Sequence, residues 1–402
     1  MKEPKRPLGL YIHIPFCKSK CVYCDFYSLA NREDAVKRYV KALKAHLGET
    51  APLAEHHRVD TVYFGGGTPS LLGHRYLLDI LDDIRSKYHL EKGAEITLEA
   101  NPESAQSWRE LRKLRKGGFN RLSLGVQSAD DATLKAIGRI HTFAQAEAAV
   151  TAARKAGFRN LSLDLIYGLP GQTMDSWRST LERCAALQPE HLSCYGLKVE
   201  EGTPLWKRQK EFSLPDDDLQ ADMYLWMVER LEELGYHQYE ISNFAREGFA
   251  SRHNTKYWAL SEYAGFGPGA HSDFGETRYA YGRDLDGYIT GVLDGTLQVE
   301  QSEHLPLRER DTEYIMLSLR MVSGINRHTF EYTYRRRFAP LEEVFLRYEA
   351  MGCAERTEQG WRLTPKGFLL SNTIITDLWE AICRDKLRRE KAAARGDYRI
   401  LP

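Results

Sequence analysis

The chain has 402 residues, 42% hydrophobic and 28% charged, with Lys+Arg and Asp+Glu balanced at 56 each. That composition describes an ordinary globular protein of two or three domains, and zero net charge removes any bulk electrostatic pull towards nucleic acid. The seven cysteines, three of them clustered, fit a reducing compartment and metal chemistry better than a disulfide framework. The opening segment, Met1 to Pro7, lacks an apolar signal core, and no apolar run reaches the length of a membrane span. A cytoplasmic protein is expected.

The first strand candidate, residues 8–14, alternates in the β manner and is closed by Pro15. Cys17, Cys21 and Cys24 follow at once with C-x3-C-x2-C spacing. Iron–sulfur clusters are held by cysteine thiolates, usually four. Three on one short loop hold three irons of a cubane and leave the fourth open to a small molecule. Structural zinc, which lacks a nearby fourth Cys or His at metal spacing, and buried unligated thiols remain the alternatives.

Further strand candidates lie at 61–64, 95–99, 121–126, 160–165 and 191–197, separated by amphipathic stretches at 38–47, 76–88, 111–116, 144–156 and 174–187. Repeated βα units predict a parallel sheet with right-handed crossovers. Six units fall short of the eight that close a barrel, so an open partial (βα)6 TIM-type barrel is expected, with its chemistry at the C-terminal strand ends.

Those ends carry Gly65-Gly66-Gly67-Thr68-Pro69, Glu99-Ala-Asn101-Pro102, Gly125-Val-Gln127, Asp164 and then Tyr195 and Lys198. Glycines let backbone approach a ligand closely, and an Asp inside an apolar strand is costly unless partnered. Taken singly, Glu99 reads equally as an exposed carboxylate, Gln127 as a helix cap and Arg139 as a surface cation. Their shared rim beside the cysteine loop favours a site.

Beyond 197, residues 216–235 read as a capped helix, 236–241 as a short strand and 263–272 as a glycine-rich loop. From Arg308 the pattern turns helical and charged, with a hairpin arm at 361–367, which predicts a helical domain with a small wing. The domain division expected is 1–240, 241–306 and 307–402. Arg384, Lys386, Arg388, Arg389, Lys391 and Arg395 read as a solvated helix face, with a membrane-surface patch as the alternative. Cys184, Cys194, Cys353 and Cys383 read as packing thiols.

With these residues in view, the cysteine spacing and the glycine turn after the second strand resemble the radical S-adenosylmethionine (SAM) superfamily. The resemblance implies a [4Fe–4S] cluster on Cys17, Cys21 and Cys24, with SAM chelating the open iron. Tyr11-Ile-His-Ile-Pro-Phe-Cys17, Phe64-Gly-Gly-Gly-Thr-Pro-Ser70, Gly118-Phe-Asn-Arg-Leu-Ser-Leu-Gly-Val-Gln127, Asp164-Leu-Ile-Tyr-Gly-Leu-Pro170 and Trp361-Arg-Leu-Thr-Pro-Lys-Gly367 are similar to the anaerobic coproporphyrinogen III oxidase family. This implies SAM contacts at Tyr11, Gly66, Gly67, Thr68, Glu99, Gln127, Arg139 and Asp164. Backbone at 66–68 would meet the methionine amino group or carboxylate, Arg139 the carboxylate and Asp164 the ribose.

That family holds true oxidases and a heme-chaperone branch of HemW type. The oxidases carry a further cysteine two residues after the third ligand, where this chain has Phe26, and a longer N-terminal segment than the ten residues before Tyr11. His253-Asn254-Thr-Lys-Tyr257-Trp258 matches the His-Asn-x-x-Tyr-Trp motif of the chaperone branch. The resemblance therefore implies heme as a further cofactor, contacted by His253, Tyr257 and Trp258, and delivery to hemoproteins such as respiratory enzymes at a membrane surface. His253 could ligate the iron or be a satisfied structural histidine. No nucleic-acid partner is expected, a homodimer is left open, and decarboxylation of coproporphyrinogen is the rival activity.

Overall fold

The computed structural model describes residues 5–395, so Met1 to Pro4 of the opening segment and residues 396–402 lie outside it. Contacts divide the chain into two units. The first takes the chain up to His237 with Ser242–Lys256 and Ser261–His304; the second takes Gln238–Ile241, Tyr257–Leu260 and the chain from Leu305. The stretch 241–306 is thus shared between units.

In the first unit, strands β1 (Arg6–Ile14), β2 (His57–Gly66), β3 (Leu90–Ala100), β4 (Arg121–Gln127), β5 (Leu161–Tyr167) and β6 (His191–Gly196) alternate with helices α1 (Val36–Thr50), α2 (Gly73–Lys87), α3 (Trp108–Gly117), α4 (Phe143–Ala156) and α5 (Met174–Ala186). All six strands pair in sequence order and in parallel. The expected partial barrel is present, and its sheet does not return to its first strand. Helices α4 and α5 start within one residue of the expected positions and α3 three residues earlier, because Thr142, Thr173 and Ser107 accept a backbone N–H from the first turn.

The sheet is wider than six strands. On the β1 side it gains a parallel strand, Tyr263–Phe266, then antiparallel His271–Phe274, Thr277–Tyr281 and Val299–His304; on the β6 side it gains antiparallel Asn243–Ala245. The segment 263–272, expected as a loop, is therefore two strands around a tight turn. Gly265 permits this, since a Cβ there would sit 2.1 Å from the His271 carbonyl oxygen.

The strands obey a period of two with an unusual content. Leu8, Leu10, Ile12 and Ile14 of β1, Leu122, Leu124 and Val126 of β4, and Leu161, Leu163 and Leu165 of β5 are fully buried on the face that the helices cover. The alternate positions face the barrel interior and are mostly polar: Thr61 and Tyr63; Glu95, Thr97 and Glu99; Arg121 and Ser123; Ser162 and Asp164; His191 and Ser193. The interior is consequently a polar lumen, and every group in it needs a partner.

One helix, Arg252–Trp258, closes the lower part of that lumen. Its first backbone N–H groups, at Arg252 and His253, donate to the two Glu95 carboxylate oxygens at 3.1 and 3.0 Å. Lys256 pairs with Asp60 at 2.8 Å.

In the second unit, Asp311–Ser318, Arg327–Tyr332, Ala339–Ala350 and Ser371–Ala394 are helical. Ile325–Asn326, Gly360–Leu363 and Ala354–Arg356 form a small antiparallel sheet, the expected wing, with Trp361 stacked on Phe345 at 5.3 Å. Cys184, Cys194 and Cys353 are buried as read, whereas Cys383 is exposed on the last helix. Among the described residues, no helix is long and apolar enough to cross a membrane.

Glu95→Ala leaves the buried His253 N–H and the part-buried Arg252 N–H without their acceptor, at roughly 1–3 kcal/mol for the buried one. Denaturant unfolding should show that loss, and hydrogen exchange should quicken first at residues 252–256.

Candidate functional site

The upper ends of β1 to β6 surround a cavity of about 340 Å³, at the small end of the range for small-molecule sites and large enough for one ligand. Cys17, Cys21 and Cys24 line it, with Tyr63, Gly66, Gly67, Thr68, Glu99, Asn101, Arg121, Ser123, Gln127, Arg139, Asp164, Ser193 and Asn254. Phe26, Tyr195, Lys20 and Lys198 stand exposed at its mouth.

Two anchors hold the cysteine loop. Val22 and Tyr23, between the second and third cysteines, pack on Ile137, Ile166 and Leu169, and the Val22 N–H donates to the Ile137 carbonyl at 3.2 Å. The second anchor is the glycine turn after β2. There the Gly67 N–H donates to the Ile14 carbonyl at 2.9 Å and the Thr68 N–H to the Phe16 carbonyl at 2.7 Å. A Cβ at Gly67 would lie 2.7 and 2.8 Å from those same two carbonyl oxygens, so only glycine permits the approach.

The three thiols are free and half-buried. Donors face all three: the Thr68 hydroxyl reaches Cys17 and the Arg139 guanidinium Cys21, both at 3.5 Å, the Tyr23 hydroxyl also reaches Cys21, and the Phe26 backbone N–H reaches Cys24. No three Cys, His, Asp or Glu side chains among the described residues converge on a single-ion position, which is the geometry the zinc alternative requires. A cubane instead asks each thiolate to reach a different iron, and this donor set fits it.

Deeper in, two carboxylates surround one guanidinium. Glu99 accepts from the Tyr63 hydroxyl at 2.6 Å and the Gly66 N–H at 3.1 Å. Burial pushes its carboxyl up to about 7, against those hydrogen bonds and the positive charge of Arg121, with Asp164 adding to the rise. Asp164 accepts from Ser123 at 3.0 and 2.9 Å and from Ser162 at 3.2 Å. It too is raised by burial, an effect that Ser193, Ser123, Arg121 and Ser162 oppose. Glu99 and Asp164 give the inner end of the cavity acceptors for a positively charged ligand group, while Arg139 lines the same cavity as a donor. Gln127 reaches the cavity from a strand end with φ of 67°, where β4 slips register against β5; a non-glycine residue held there is a strained position at a site.

Most residues read from sequence meet here, with four revisions. The N–H groups of Gly66, Gly67 and Thr68 are all engaged by protein acceptors, so the turn can offer a ligand carbonyl oxygens. That suits an ammonium group and withdraws the carboxylate option. Arg139 makes four hydrogen bonds, to Asn101, Gly125, Cys21 and His141, which leaves one of its five N–H groups for a ligand carboxylate. Tyr11 sits behind the cavity wall, its hydroxyl 3.0 Å from His13 Nδ1.

The fourth revision is His253. It is 1% exposed, its Nδ1 lies 2.8 Å from Thr61 Oγ1, and its ring stacks on Tyr63 at 5.1 Å. Burial first, then Lys256 and Arg121, lower its pKa to about 3, so it is neutral. A ring enclosed in this way has no open approach for a heme iron to a ring nitrogen, and the structural-histidine alternative describes it. Its neighbour Asn254 reaches the cavity instead. Tyr257 and Trp258 are half-buried.

Tyr63, Asn101, Arg121, Ser123 and Ser193 were not read as site residues. The signal existed: polar side chains at every second position of strands that a barrel fold buries on both faces.

Residues 11–184 match the model of the radical SAM superfamily and residues 305–370 that of the HemN C-terminal domain. The solved coproporphyrinogen III oxidase (HemN) of Escherichia coli, described as a radical SAM enzyme, aligns with a TM-score of 0.81 at 26% identity, covering 94% of this chain and 91% of that one. The chain is a radical SAM protein. It is 38% identical over 328 residues to the heme chaperone HemW of Mycobacterium tuberculosis, covering 80% of this chain and 84% of that protein. With that of Bacillus subtilis it shares 34% identity over 369 residues, or 91% and 97%. The chain belongs to the HemW heme chaperone family.

Gly67→Ala should sharply lower iron and sulfide content after anaerobic reconstitution, because the turn can no longer seat the cysteine loop; Gly93→Ala, with open space around it, should load normally. Burial pushes the Glu99 carboxyl up to about 7 from an ordinary glutamate's 4.5, so the folded chain holds the extra proton in that window. Its contribution to stability is present below about pH 4.5 and lost as pH rises through about 7. Glu99→Gln should flatten the fall in unfolding free energy between those limits.

Proposed function

We propose that this protein is a heme chaperone that binds heme, a [4Fe–4S] cluster and SAM, and passes heme to hemoproteins. The observation that carries the reading is Phe26. Where the oxidases set a further cysteine beside the cluster, this chain sets an aromatic ring, 67% exposed, at the cavity mouth, and its relatives across most of the chain are heme chaperones.

Cys17, Cys21 and Cys24 would hold the cluster, which when bound supplies one-electron chemistry at an open iron. The protein's part is to orient SAM. Carbonyls of the glycine turn and the Glu99 carboxylate would take its ammonium group, Asp164 its ribose hydroxyls, and the remaining Arg139 N–H its carboxylate, with Gln127 closing the rim. A cavity for one small molecule leaves heme, a larger planar ligand, to exposed apolar surface such as Phe26 at the mouth; the half-buried Tyr257 and Trp258 of the motif are separate candidate contacts. His253 contributes from inside the barrel by holding Tyr63. The protein would work in the cytoplasm, and the exposed basic residues of the last helix suit an anionic membrane surface near respiratory acceptors.

Coproporphyrinogen III oxidation is the second reading, favoured by the end-to-end match to the solved oxidase. One reconstituted sample decides. Heme binding seen as a Soret band, transfer to an apo-hemoprotein and no conversion of coproporphyrinogen is the expected result; conversion without heme transfer overturns it. Phe26→Ser should weaken heme binding several-fold and leave iron and sulfide content unchanged.

A further inference from the structure

The side chains of Thr68, Asn101 and Arg139 form one directed chain of donors between two of the three cysteines. Arg139 Nη2 donates to Asn101 Oδ1 at 2.7 Å, Asn101 Nδ2 donates to Thr68 Oγ1 at 3.0 Å, and Thr68 Oγ1 donates to Cys17 Sγ at 3.5 Å. Arg139 also donates through Nη1 to Cys21 Sγ at 3.5 Å. The order is forced. A guanidinium only donates, so the amide must turn its oxygen to Arg139 and its nitrogen to Thr68. The hydroxyl then accepts from the amide, and its one hydrogen is left for the sulfur.

Thr68 is 1% exposed, and the Arg139 Nη2 group is clamped a second time by the Gly125 carbonyl at 2.6 Å. Water therefore competes poorly for these bonds, and the low local dielectric strengthens them. Donors and positive charge aimed at cluster sulfurs stabilise the state carrying more negative charge, which is the reduced one, and so raise the reduction potential.

We infer that Thr68, Asn101 and Arg139 act as one positioning unit that sets the reduction potential of the cluster by polarising the Cys17 and Cys21 thiolates. This rests on the cysteines holding a cluster. Because Asn101 and Arg139 also line the cavity, a ligand that draws on Arg139 alters the same unit, which links cavity occupancy to the potential. Cys24, reached only by a backbone N–H, lies outside it.

The test is an EPR-monitored redox titration of full-length protein reconstituted with iron and sulfide, with metal and sulfide content measured on the same samples. Thr68→Val removes the donor at nearly constant shape and should lower the midpoint. At a fixed potential near the wild-type midpoint the reduced-to-oxidised ratio should fall by up to tenfold, which is 59 mV for a one-electron couple. Thr68→Ser should restore it. Arg139→Gln, which also removes the charge, should lower it further. Equal midpoints in wild type and Thr68→Val at equal iron and sulfide content overturn the inference while leaving the cluster assignment standing. If Thr68→Val fails to load, Arg139→Lys decides, since it keeps the charge but cannot grip Asn101, Gly125 and Cys21 together: an unchanged midpoint overturns the inference, a lowered one supports it. Wild-type protein that takes up no iron and sulfide overturns the assignment and the inference with it.

Discussion

The cysteine loop is held by backbone running against backbone, the 14–16 stretch beside residues 67 and 68. Two hydrogen bonds there fix where Cys17 begins, and they exist only because residue 67 has no side chain. The consequence reaches past the loop. With the N–H groups of the turn committed to the loop and to Glu99, the turn faces the cavity with carbonyls, and its polarity towards a ligand is set by the need to seat the cysteines. Structure and recognition are here one constraint.

The second constraint is the polar lumen. Burying Glu99, Asp164 and Arg121 within one barrel is unfavourable for each group alone, and the raised carboxyl pKa values record that cost. Serines 123, 162 and 193, Tyr63 and the Gly66 N–H offset it. A cationic ligand group placed beside Glu99 and Asp164 would favour their charged forms and bring those pKa values back down.

Much of this was legible beforehand. The βα order, the cysteine spacing and the strand-end residues follow from local pattern, because a parallel barrel brings its strand ends together whatever the loops do. The antiparallel extensions were missed because 263–272 carries the glycines of a loop, and only tertiary pairing reveals that Gly265 serves close strand contact. Tyr63 and Arg121 were missed for the opposite reason. Their strands read as apolar runs, and the informative residues are the polar alternates within them. His253 was misplaced because a histidine in an aromatic motif invites a ligand reading, whereas whether its nitrogens are engaged depends on Thr61, far away in sequence.

The placement of His253 also changes what its motif means. Glu95 holds the start of the motif helix, that helix sets the histidine ring against Tyr63, Tyr63 donates to Glu99, and Glu99 accepts from Gly66. A continuous series of contacts therefore runs from the motif to the glycine turn, and Asn254 enters the cavity directly. Burial first, and then the neighbouring charges of Lys256 and Arg121, disfavour a charged imidazole here and lower its pKa. The histidine serves as a neutral wedge. The histidine half of the motif thus acts, within the first unit, on the geometry of the carboxylate site, while Tyr257 and Trp258 belong to the other unit. One short helix contributes residues to both.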